Sequence, residues 1–212
     1  MQRVVLIDYG SGNLRSAQKA LQRAATQTAF DGEVIVSAEP DAVAAATRIV
    51  LPGVGAFGDC MAGLRRIPNL LPALEHAVKE RHVPFLGICV GMQLLASSGH
   101  EFGMHAGLDW IPGKVVRLSA PGLKIPHMGW NQLSFTRDHP LRAGIADGSD
   151  VYFVHSYVFV PADADDVLAY TDYGGPLTAM VARGNIAGTQ FHPEKSQSIG
   201  LKLLANFLSW QP

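Results

Sequence analysis

The stretch Pro84–Gln93 constrains the fold more than any other, because a short apolar run there ends abruptly in Gly-x-Cys-x-Gly. The run is typical of a buried strand, and Met92, Leu94 and Leu95 continue it with a helical pattern. A tight strand-to-helix turn strains the backbone of its central residue, and flanking glycines prevent clashes there. The pattern has the form of a nucleophile elbow with Cys89 in place of serine.

Cys89 therefore differs from an ordinary lone cysteine, whose commonest fate is to be a buried structural thiol. An elbow places Cys89 at the start of a helix, where the helix dipole and free backbone N–H groups favour a thiolate and a developing oxyanion. Cys60 follows Asp59 in a helical pattern and has no elbow. We interpret Cys89 as the nucleophile and Cys60 as a structural residue.

A nucleophile needs a base, and the base needs a group that orients it. Near the other end of the chain, an apolar run leads into Phe191-His192-Pro193-Glu194. Residues i and i+2 of an extended backbone project to the same side, so His192 can face Cys89 while Glu194 holds the imidazole. The alternative is a strand end with a solvated histidine and glutamate. Together with the elbow, the pattern favours a catalytic triad of Cys89, His192 and Glu194.

A glycine-rich loop follows another apolar run, with the spacing Gly53-x-Gly55-x-x-Gly58. The spacing matches a dinucleotide-binding fingerprint. However, Pro68 cuts the next helical pattern short, and no second strand ends in an acidic residue about twenty positions on. The backbone N–H groups of such a loop serve an acyl-transfer enzyme equally well, as the second donor of an oxyanion hole whose first donor is the N–H of Val90. A plain structural turn is the remaining alternative.

Alternating patterns indicate the fold of the first half of the chain. Strands are predicted at Arg3–Asp8, Val34–Val36, Arg48–Leu51 and before Cys89, and helices at Leu14–Ala25, from Pro40, at Asp59–Arg66 and at Leu70–Arg81. This order predicts an α/β fold with a doubly wound, mostly parallel sheet flanked by helices and a site at the carboxyl ends of the strands. After Gly113, short apolar runs predict a β-rich, partly antiparallel C-terminal half, closed by a helix at Ser198–Trp210. The 212 residues suit one domain, 1–212.

Composition excludes several classes of protein. With 17 basic and 18 acidic residues, the chain has no positive excess that would favour nucleic acid as a partner. Its two cysteines lack CxxC spacing and indicate neither a disulfide framework nor a zinc site. Neither a signal peptide nor an apolar run long enough to span a membrane is evident. We expect a reduced, soluble, cytoplasmic protein without metal or cofactor.

Two of these stretches, Gly87–Gln93 and Phe191–Glu194, resemble the two signatures of class I glutamine amidotransferases. Three more, Leu51–Gly58, Pro126–Asn131 and Lys195-Ser196, are similar to the branch of that family that serves histidine biosynthesis. The resemblance covers nearly the whole chain. One departure is a valine directly after the nucleophile, where many relatives carry leucine; only its backbone N–H is needed.

The resemblance implies that glutamine is hydrolysed to glutamate and ammonia through a γ-glutamyl thioester on Cys89. The ammonia would pass to a cyclase subunit, a (β/α)₈ barrel that forms a heterodimer with the chain and makes imidazole glycerol phosphate and aminoimidazole carboxamide ribotide. Further roles are implied for particular residues: the oxyanion hole for Gly53, Val54, Gly55 and Val90, substrate binding for Gln93, Glu101, Ser156 and Tyr157, and the partner interface for Trp130, Asn131 and Lys195.

Helical spacing, side-chain charge and the flexibility of glycine independently support some of these roles. Gln93 lies one helical turn after Cys89 and can face the same pocket, while Glu101 suits the α-ammonium of an amino acid by charge. Since glycine tolerates both signs of φ, the peptide planes of Gly53–Gly55 can flip cheaply. The loop can therefore hold one oxyanion donor turned away until a partner docks.

Three other interpretations belong to different functions. A glutaminase subunit serving anthranilate or pyridoxal phosphate synthesis is disfavoured by Pro126–Asn131 and Lys195. A cysteine peptidase or chaperone-like relative with a cysteine elbow is disfavoured by His-Pro-Glu and Gln93. A non-catalytic interaction protein with a decayed site would not be expected to keep all three triad residues.

Overall fold

The computed structural model describes residues 1–28 and 30–212. Its strands and helices are, in chain order, β1 Gln2–Ile7, α1 Leu14–Gln27, β2 Gly32–Ser37, α2 Pro40–Ala44, β3 Arg48–Gly53, α3 Phe57–Arg66, α4 Leu70–Glu75, β4 Phe85–Cys89, α5 Val90–Gln93, β5 Ser98–Gly99, β6 His105–Ala106, β7 Gly113–Arg117, β8 His127–Gln132, β9 Ser134–Phe135, β10 Asp150–His155, β11 Tyr157–Pro161, β12 Val167–Asp172, β13 Pro176–Arg183, β14 Ile186–Thr189 and α6 Gln197–Ser209. After α4 the chain continues as a π-helical turn, His76–Glu80.

One eight-stranded sheet organises the molecule, in the order β2-β1-β3-β4-β14-β13-β12-β9. The pairs from β2 to β14 are parallel, and those from β14 to β9 are antiparallel. Every residue of β3 and β4 is buried. Strands with continuous apolar runs are typical of parallel sheets whose two faces are both covered by helices. Helix α1 buries Ala17, Leu21 and Ala24, the face expected from its helical spacing.

Strand β14 joins the two halves of the sheet, because it is parallel to β4 on one side and antiparallel to β13 on the other. Two smaller sheets, β10-β8 and β11-β7-β5-β6, complete the β-rich half. The predicted fold class is confirmed: a mostly parallel sheet flanked by helices, followed by partly antiparallel structure. Within the described residues, no helix has the length and apolar character needed to cross a bilayer.

Two local features differ from the sequence prediction. The segment His127–Gln132 was expected as part of a motif only, yet it forms strand β8, whose exposed Met128 and Trp130 alternate with inward-facing neighbours. Such a strand has no continuous apolar run to reveal it. The helix after Cys89 is a single turn, α5, because the chain bends away after Gln93.

Candidate active site

The backbone of Cys89 has the strained geometry expected of a nucleophile elbow, with φ 55° and ψ −112°. The turn is too tight for side chains on either side. A Cβ on Gly87 would lie 2.5 Å from the carbonyl oxygen of Gly91, and one on Gly91 would lie 1.9 Å from that of Leu51. Both glycines are therefore required by close backbone contacts, and the thiol is only 5 % exposed.

The helix dipole contributes less at Cys89 than the sequence suggested. A macrodipole needs several turns of aligned peptides, whereas α5 has four residues. Stabilisation of an anion at this position must come from nearby N–H groups and side chains instead. The helix dipole therefore contributes little at Cys89, although the elbow itself is present.

His192 and Glu194 lie just beyond β14, the strand beside the nucleophile strand. The Nδ1–H of His192 donates to Glu194 Oε1 at 2.8 Å, and both side chains are almost completely buried, with 4 % and 3 % exposed. Because Nδ1 is committed to the carboxylate, the other ring nitrogen is left for Cys89, the residue that does most to raise the pKa of this imidazole. Glu194 Oε2 is buried without a partner among the described residues.

Two opposing effects act on the pKa of His192. Burial alone would lower it, but hydrogen bonds to Cys89 and Glu194 and then their charges outweigh burial and raise the pKa from 6.5 to about 9. An imidazolium is therefore favoured at neutral pH in the pocket that also contains Cys89. Such a ring can donate a proton to the leaving group when the cysteine acts as nucleophile.

A pocket of about 340 Å³ opens above the sulfur of Cys89. Its walls come from several distant segments of the chain, among them the loop after β3, the elbow, the end of β10 and the segment after β14. The lining residues are Val54, Gly55, Cys89, Val90, Gln93, Glu101, Pro126, Val154, His155, Ser156, Tyr157, His192 and Lys195. A larger hollow of about 750 Å³ follows the loop from Asp138 to Ala146. It contains no nucleophile and base together, so the smaller pocket is the candidate active site.

The hydroxyl of Ser11 holds the glycine-rich loop in one orientation. Its Oγ accepts from the N–H of Val54 at 3.1 Å and donates to the carbonyl of the same residue at 2.5 Å. The Val54 N–H is thereby directed at Ser11 and away from Cys89. Gly55 has φ 97°, and no atom lies within 4 Å of the Cβ position it lacks, so the next peptide has room to rotate.

Tyr9 and Cys60 lie behind this loop. The Tyr9 hydroxyl donates to the carbonyl of Pro52 at 2.8 Å, and Cys60 Sγ donates to that of Val54 at 3.4 Å. Burial raises the pKa of both groups, which keeps them protonated. Cys60 is thus placed as a support for the loop and not as a second nucleophile, in agreement with its sequence interpretation.

Gln93 lies in the pocket wall, but its amide nitrogen is already used. Nε2 donates to the Tyr157 carbonyl at 3.0 Å and to Gln190 Oε1 at 2.9 Å. Gln190, which sequence reasoning did not select, is fully buried and donates from Nε2 to Cys89 Sγ at 3.7 Å. Gln190 belongs to the same run as His192, yet a glutamine at the end of a buried strand gives no pattern that identifies a role.

The other predicted substrate contacts line the same pocket. Glu101 Oε2 accepts from the N–H of Phe57 at 2.8 Å, where α3 begins, and this leaves its second oxygen for a ligand. Ser156 and Tyr157 follow β10, and the Tyr157 carbonyl is occupied by hydrogen bonds from Gln93 and His155. The roles of these residues toward a substrate stay predictions.

An exposed apolar surface lies next to the pocket on β8. Met128 and Trp130 are 62 % and 48 % exposed, and they project to the same side as i and i+2 residues of a strand. Trp130 packs edge-on against Tyr152, at 5.9 Å between ring centroids, and Lys195 Nζ lies 5.8 Å from the same Tyr152 ring. The exposed aromatic side chain and the lysine at the pocket mouth therefore belong to one continuous surface.

Comparison with known proteins gives consistent results. The family described as glutamine amidotransferase class-I matches residues 5–210. Three curated relatives, each described as imidazole glycerol phosphate synthase subunit HisH, come from Caulobacter vibrioides, Rhodospirillum rubrum and Agrobacterium fabrum. The chain is 57 % identical to the first over 100 % of both chains. It is 59 % identical to the second and 55 % identical to the third, over 99 % of this chain and 100 % of each relative.

Solved structures agree on the fold at much lower identity. One described as a glutamine amidotransferase superposes with a TM-score of 0.72 at 19 % identity, covering 97 % of both chains. Another, described as a putative GMP synthase subunit from Thermoplasma acidophilum, gives 0.68 at 19 % identity over 99 % of this chain and 93 % of that chain. At such identities the likeness extends to the fold alone.

Proposed function

Because the chain belongs to the class I glutamine amidotransferase family, and within it to the HisH-type subunits of imidazole glycerol phosphate synthase, we propose that it is the glutaminase of such a synthase. Residues 1–212 act as one amidotransferase domain that hydrolyses glutamine to glutamate and ammonia. The observation that carries the proposal is the buried His192, which is held by Glu194 and shares one pocket with the elbow cysteine.

The first half-reaction forms a thioester. Cys89 attacks the side-chain amide carbon of glutamine, and the negative charge moves to the amide oxygen. His192, favoured as an imidazolium, donates its proton to the departing nitrogen, so ammonia leaves and a γ-glutamyl thioester remains. Glu194 balances the imidazolium charge and holds the ring in place, as an orienting carboxylate does in related triads.

The second half-reaction releases glutamate. Neutral His192 takes a proton from a water molecule, whose oxygen attacks the thioester carbon. The tetrahedral intermediate collapses, the carbon–sulfur bond breaks, and Cys89 returns as a thiolate beside the reprotonated histidine. Covalent catalysis thus divides one difficult step into two easier ones.

Ammonia in water at neutral pH is mostly protonated and loses its nucleophilicity, so release into solvent would waste glutamine. We propose that the ammonia passes to a cyclase subunit with a (β/α)₈ barrel, which makes imidazole glycerol phosphate and aminoimidazole carboxamide ribotide. The surface formed by Met128, Trp130 and Lys195, the docking face, receives this subunit, and Asn131 supports the same strand from its inward side. Its exposed aromatic anchor beside a charged group supports that assignment.

The loop of Gly53, Val54 and Gly55 supplies the switch in this proposal. Val54 N–H points to Ser11, so the oxyanion has the N–H of Val90 as one donor and lacks the second until the Val54–Gly55 region rotates. Loss of one such donor costs roughly 10²–10³ in rate. Docking of the cyclase with its own ligand would turn the peptide and complete the oxyanion hole.

The direct test measures ammonia released from glutamine by the isolated chain, by the chain with the candidate cyclase, and by the pair with the cyclase ligand. We expect a rise of roughly a hundredfold or more in the last sample. Asparagine and the Cys89→Ala variant serve as negative controls. Equal rates in all three samples would reject the switch, and no glutamine-dependent ammonia in any of them would reject the glutaminase.

Two variants separate docking from switching. Trp130→Ala should weaken affinity for the cyclase, because a large aromatic side chain often anchors an interface. Ser11→Ala should leave affinity unchanged and raise the basal rate of the isolated chain a few-fold, since the hydroxyl that fixes the Val54 peptide is gone. An unchanged affinity for the tryptophan variant would remove Trp130 from the docking face.

A further inference from the structure

A second set of buried polar side chains lies outside the triad and runs in series from Asn131 to Cys89. The outer links are Asn131 Nδ2 to His127 Nε2 at 3.3 Å, His127 Nδ1 to His155 Nε2 at 3.0 Å, and His155 Nδ1 to the Tyr157 carbonyl at 2.9 Å. The inner links are Gln93 Nε2 to the same carbonyl at 3.0 Å, Gln93 Nε2 to Gln190 Oε1 at 2.9 Å, and Gln190 Nε2 to Cys89 Sγ at 3.7 Å. The series connects the inward side of β8, the strand that carries the docking face, with the nucleophile.

The direction of each hydrogen bond at the outer end follows from groups that can act in only one way. Asn131 donates from Nδ2 to the carbonyl of Asp172 at 2.7 Å, and its Oδ1 accepts from the N–H of Gln132 at 2.8 Å. The amide therefore cannot be flipped, and toward His127 it can only donate. A neutral His127 that accepts at Nε2 must carry its proton on Nδ1.

The same argument continues inward. His127 Nδ1–H donates to His155 Nε2, so the proton of His155 is on Nδ1, and that group donates to the Tyr157 carbonyl, which can only accept. Burial lowers the pKa of both rings, for His155 to about 4, which agrees with two neutral imidazoles. Phe153 and Tyr173 stack on the His127 ring at 4.8 Å and 4.0 Å between centroids and fix its plane.

The inner end has an equally defined direction. The Tyr157 carbonyl accepts from Gln93 Nε2 as well, so the Gln93 amide is oriented and its nitrogen faces Gln190 Oε1. Gln190 therefore presents its own nitrogen to the sulfur of Cys89. His155 and Gln93 both donate to the Tyr157 carbonyl, so a proton cannot pass along the series from one to the other. The hydrogen bonds instead fix the orientation of the side chains that they join.

We propose that Gln190 is a positioning residue for Cys89, and that the Nδ1-protonated pair His127 and His155 ties its orientation to Asn131 on β8, the strand that carries the docking face. The link to the docking face rests on the proposed function; the role of Gln190 does not. An N–H aimed at sulfur stabilises the thiolate and holds the side chain toward the carbon that it attacks. Displacement of Asn131 would propagate inward because a buried polar group left without a partner is costly.

The first test measures the rate of Cys89 alkylation by iodoacetamide at fixed pH, together with kcat and KM for glutamine. Gln190→Met keeps the volume and removes the N–H, so we expect alkylation and kcat about tenfold lower with KM within about twofold, the ratio typical of one hydrogen bond to a charged group. Gln190→Glu keeps an acceptor for Gln93 but places oxygen against sulfur, and it should be at least as slow.

Gln22→Met, the same replacement at an exposed site, is the matched control and should behave as wild type. Near-UV circular dichroism checks that each variant keeps its packing. A wild-type alkylation rate in either Gln190 variant overturns the role of Gln190. Alkylation needs no glutamine, so this outcome is distinguishable from failure of the proposed glutaminase.

The second test uses the unaltered protein and so does not depend on whether a variant folds. Two-dimensional ¹⁵N–¹H NMR of histidine side chains at pH 7 should show His127 and His155 as neutral rings with the proton on Nδ1, whereas a solvated histidine favours Nε2. In His127→Phe, which keeps an aromatic ring for stacking, His155 should keep its proton on Nδ1, because the Tyr157 carbonyl still accepts it, while the ¹⁵N shift of its Nε2 should change as the hydrogen bond from His127 is lost. His76→Phe should leave both nitrogens of His155 as in the wild type. An Nε2-protonated or charged ring at either position in the wild type overturns the series.

Discussion

His192 and His155 face the same pocket, and both are nearly excluded from solvent, with 3 % and 6 % exposed. Their chemistry is opposite. The pKa of His192 is raised to about 9, whereas that of His155 is lowered to about 4. Burial disfavours the charged ring in both cases, so burial cannot be what separates them.

The partners of the two rings make the difference. His192 interacts with the Cys89 thiol and with the carboxylate of Glu194, and both stabilise a positive ring. For His155, the hydrogen bond to the Tyr157 carbonyl is the only contact that favours the charged ring. Burial opposes that charge, and so do the charges of His127 and His192. One pocket thus contains two histidines in different protonation states. His192 can act as an acid, whereas His155 stays neutral, so the positive charge in the pocket lies on the triad histidine.

Cys89→Ala should produce the largest effect. We expect glutamine hydrolysis to fall by at least about a thousandfold, as is usual when a nucleophile is removed. Because the hydrogen bond to Cys89 is the first of the contributions that raise the pKa of His192, NMR titration should show that pKa falling while His155 stays neutral. Cys60→Ala is the control, and an electrophilic glutamine analogue should label Cys89 and not Cys60. A stoichiometric adduct on Cys60 with Cys89 free would contradict the assignment.

Glu194→Gln should have a smaller effect, about ten- to a hundredfold on kcat. An amide can still accept from His192 but cannot balance the imidazolium charge, so the pKa of His192 should again fall. The chain offers a matched control in Glu80→Gln, since Glu80 accepts from His76 at the same 2.8 Å in an exposed pair. Steady-state assays of both variants decide the question, and full activity of Glu194→Gln would exclude Glu194 from the triad.

Stability should depend on pH with opposite signs at the two histidines. The raised pKa of His192 contributes stability that is complete below pH 6.5 and is lost as pH rises toward about 9. The lowered pKa of His155 contributes stability that is present above pH 6.5 and is lost as pH falls toward about 4. Each slope is at most about 1.4 kcal/mol per pH unit.

Urea unfolding from pH 4.5 to 9 measures these slopes. His192→Asn should flatten the alkaline side, and His155→Phe the acid side. If either substitution leaves its slope unchanged, the contrast between the two rings does not exist in the folded protein.

His139, a half-buried histidine far along the chain from the triad, is expected to show the smallest effect. Burial, and secondarily the charge of Arg137, lowers the pKa of His139 to about 4, and its Nδ1 accepts from the N–H of Leu141. Arg137→Gln should raise this pKa slightly, because the repulsion disappears while burial remains. His139 lies outside the candidate active site, so glutamine hydrolysis should stay within about twofold of wild type. NMR titration and the ammonia assay check the two halves of this prediction.

The sequence predicted the parts of the site that are encoded locally. Cys89 and its glycines are adjacent, and His192 and Glu194 are two residues apart, so each half has a recognisable pattern. The sheet followed from apolar runs whose length and order are characteristic of parallel strands. The predicted triad itself stays a prediction until its residues are tested.

What the sequence could not provide depends on contacts between distant segments. Ser11 reaches Val54 across 43 positions, and His127 meets His155 only because the antiparallel register of β8 and β10 pairs them. Neither contact has a periodic pattern. The strength of the helix dipole was overestimated for a similar reason, since the length of α5 is set by packing and not by its own residues.

The position of β14 has a consequence for how the protein is made. Synthesis delivers the nucleophile strand β4 long before β14, so until then β4 has a free edge of N–H and C=O groups, which invites pairing with other chains. The base and its carboxylate follow β14 within a few residues. The event that closes this edge therefore also brings the imidazole to the thiol, and a nascent chain has no activated cysteine before its sheet is complete. The chemistry therefore begins only when the fold is complete.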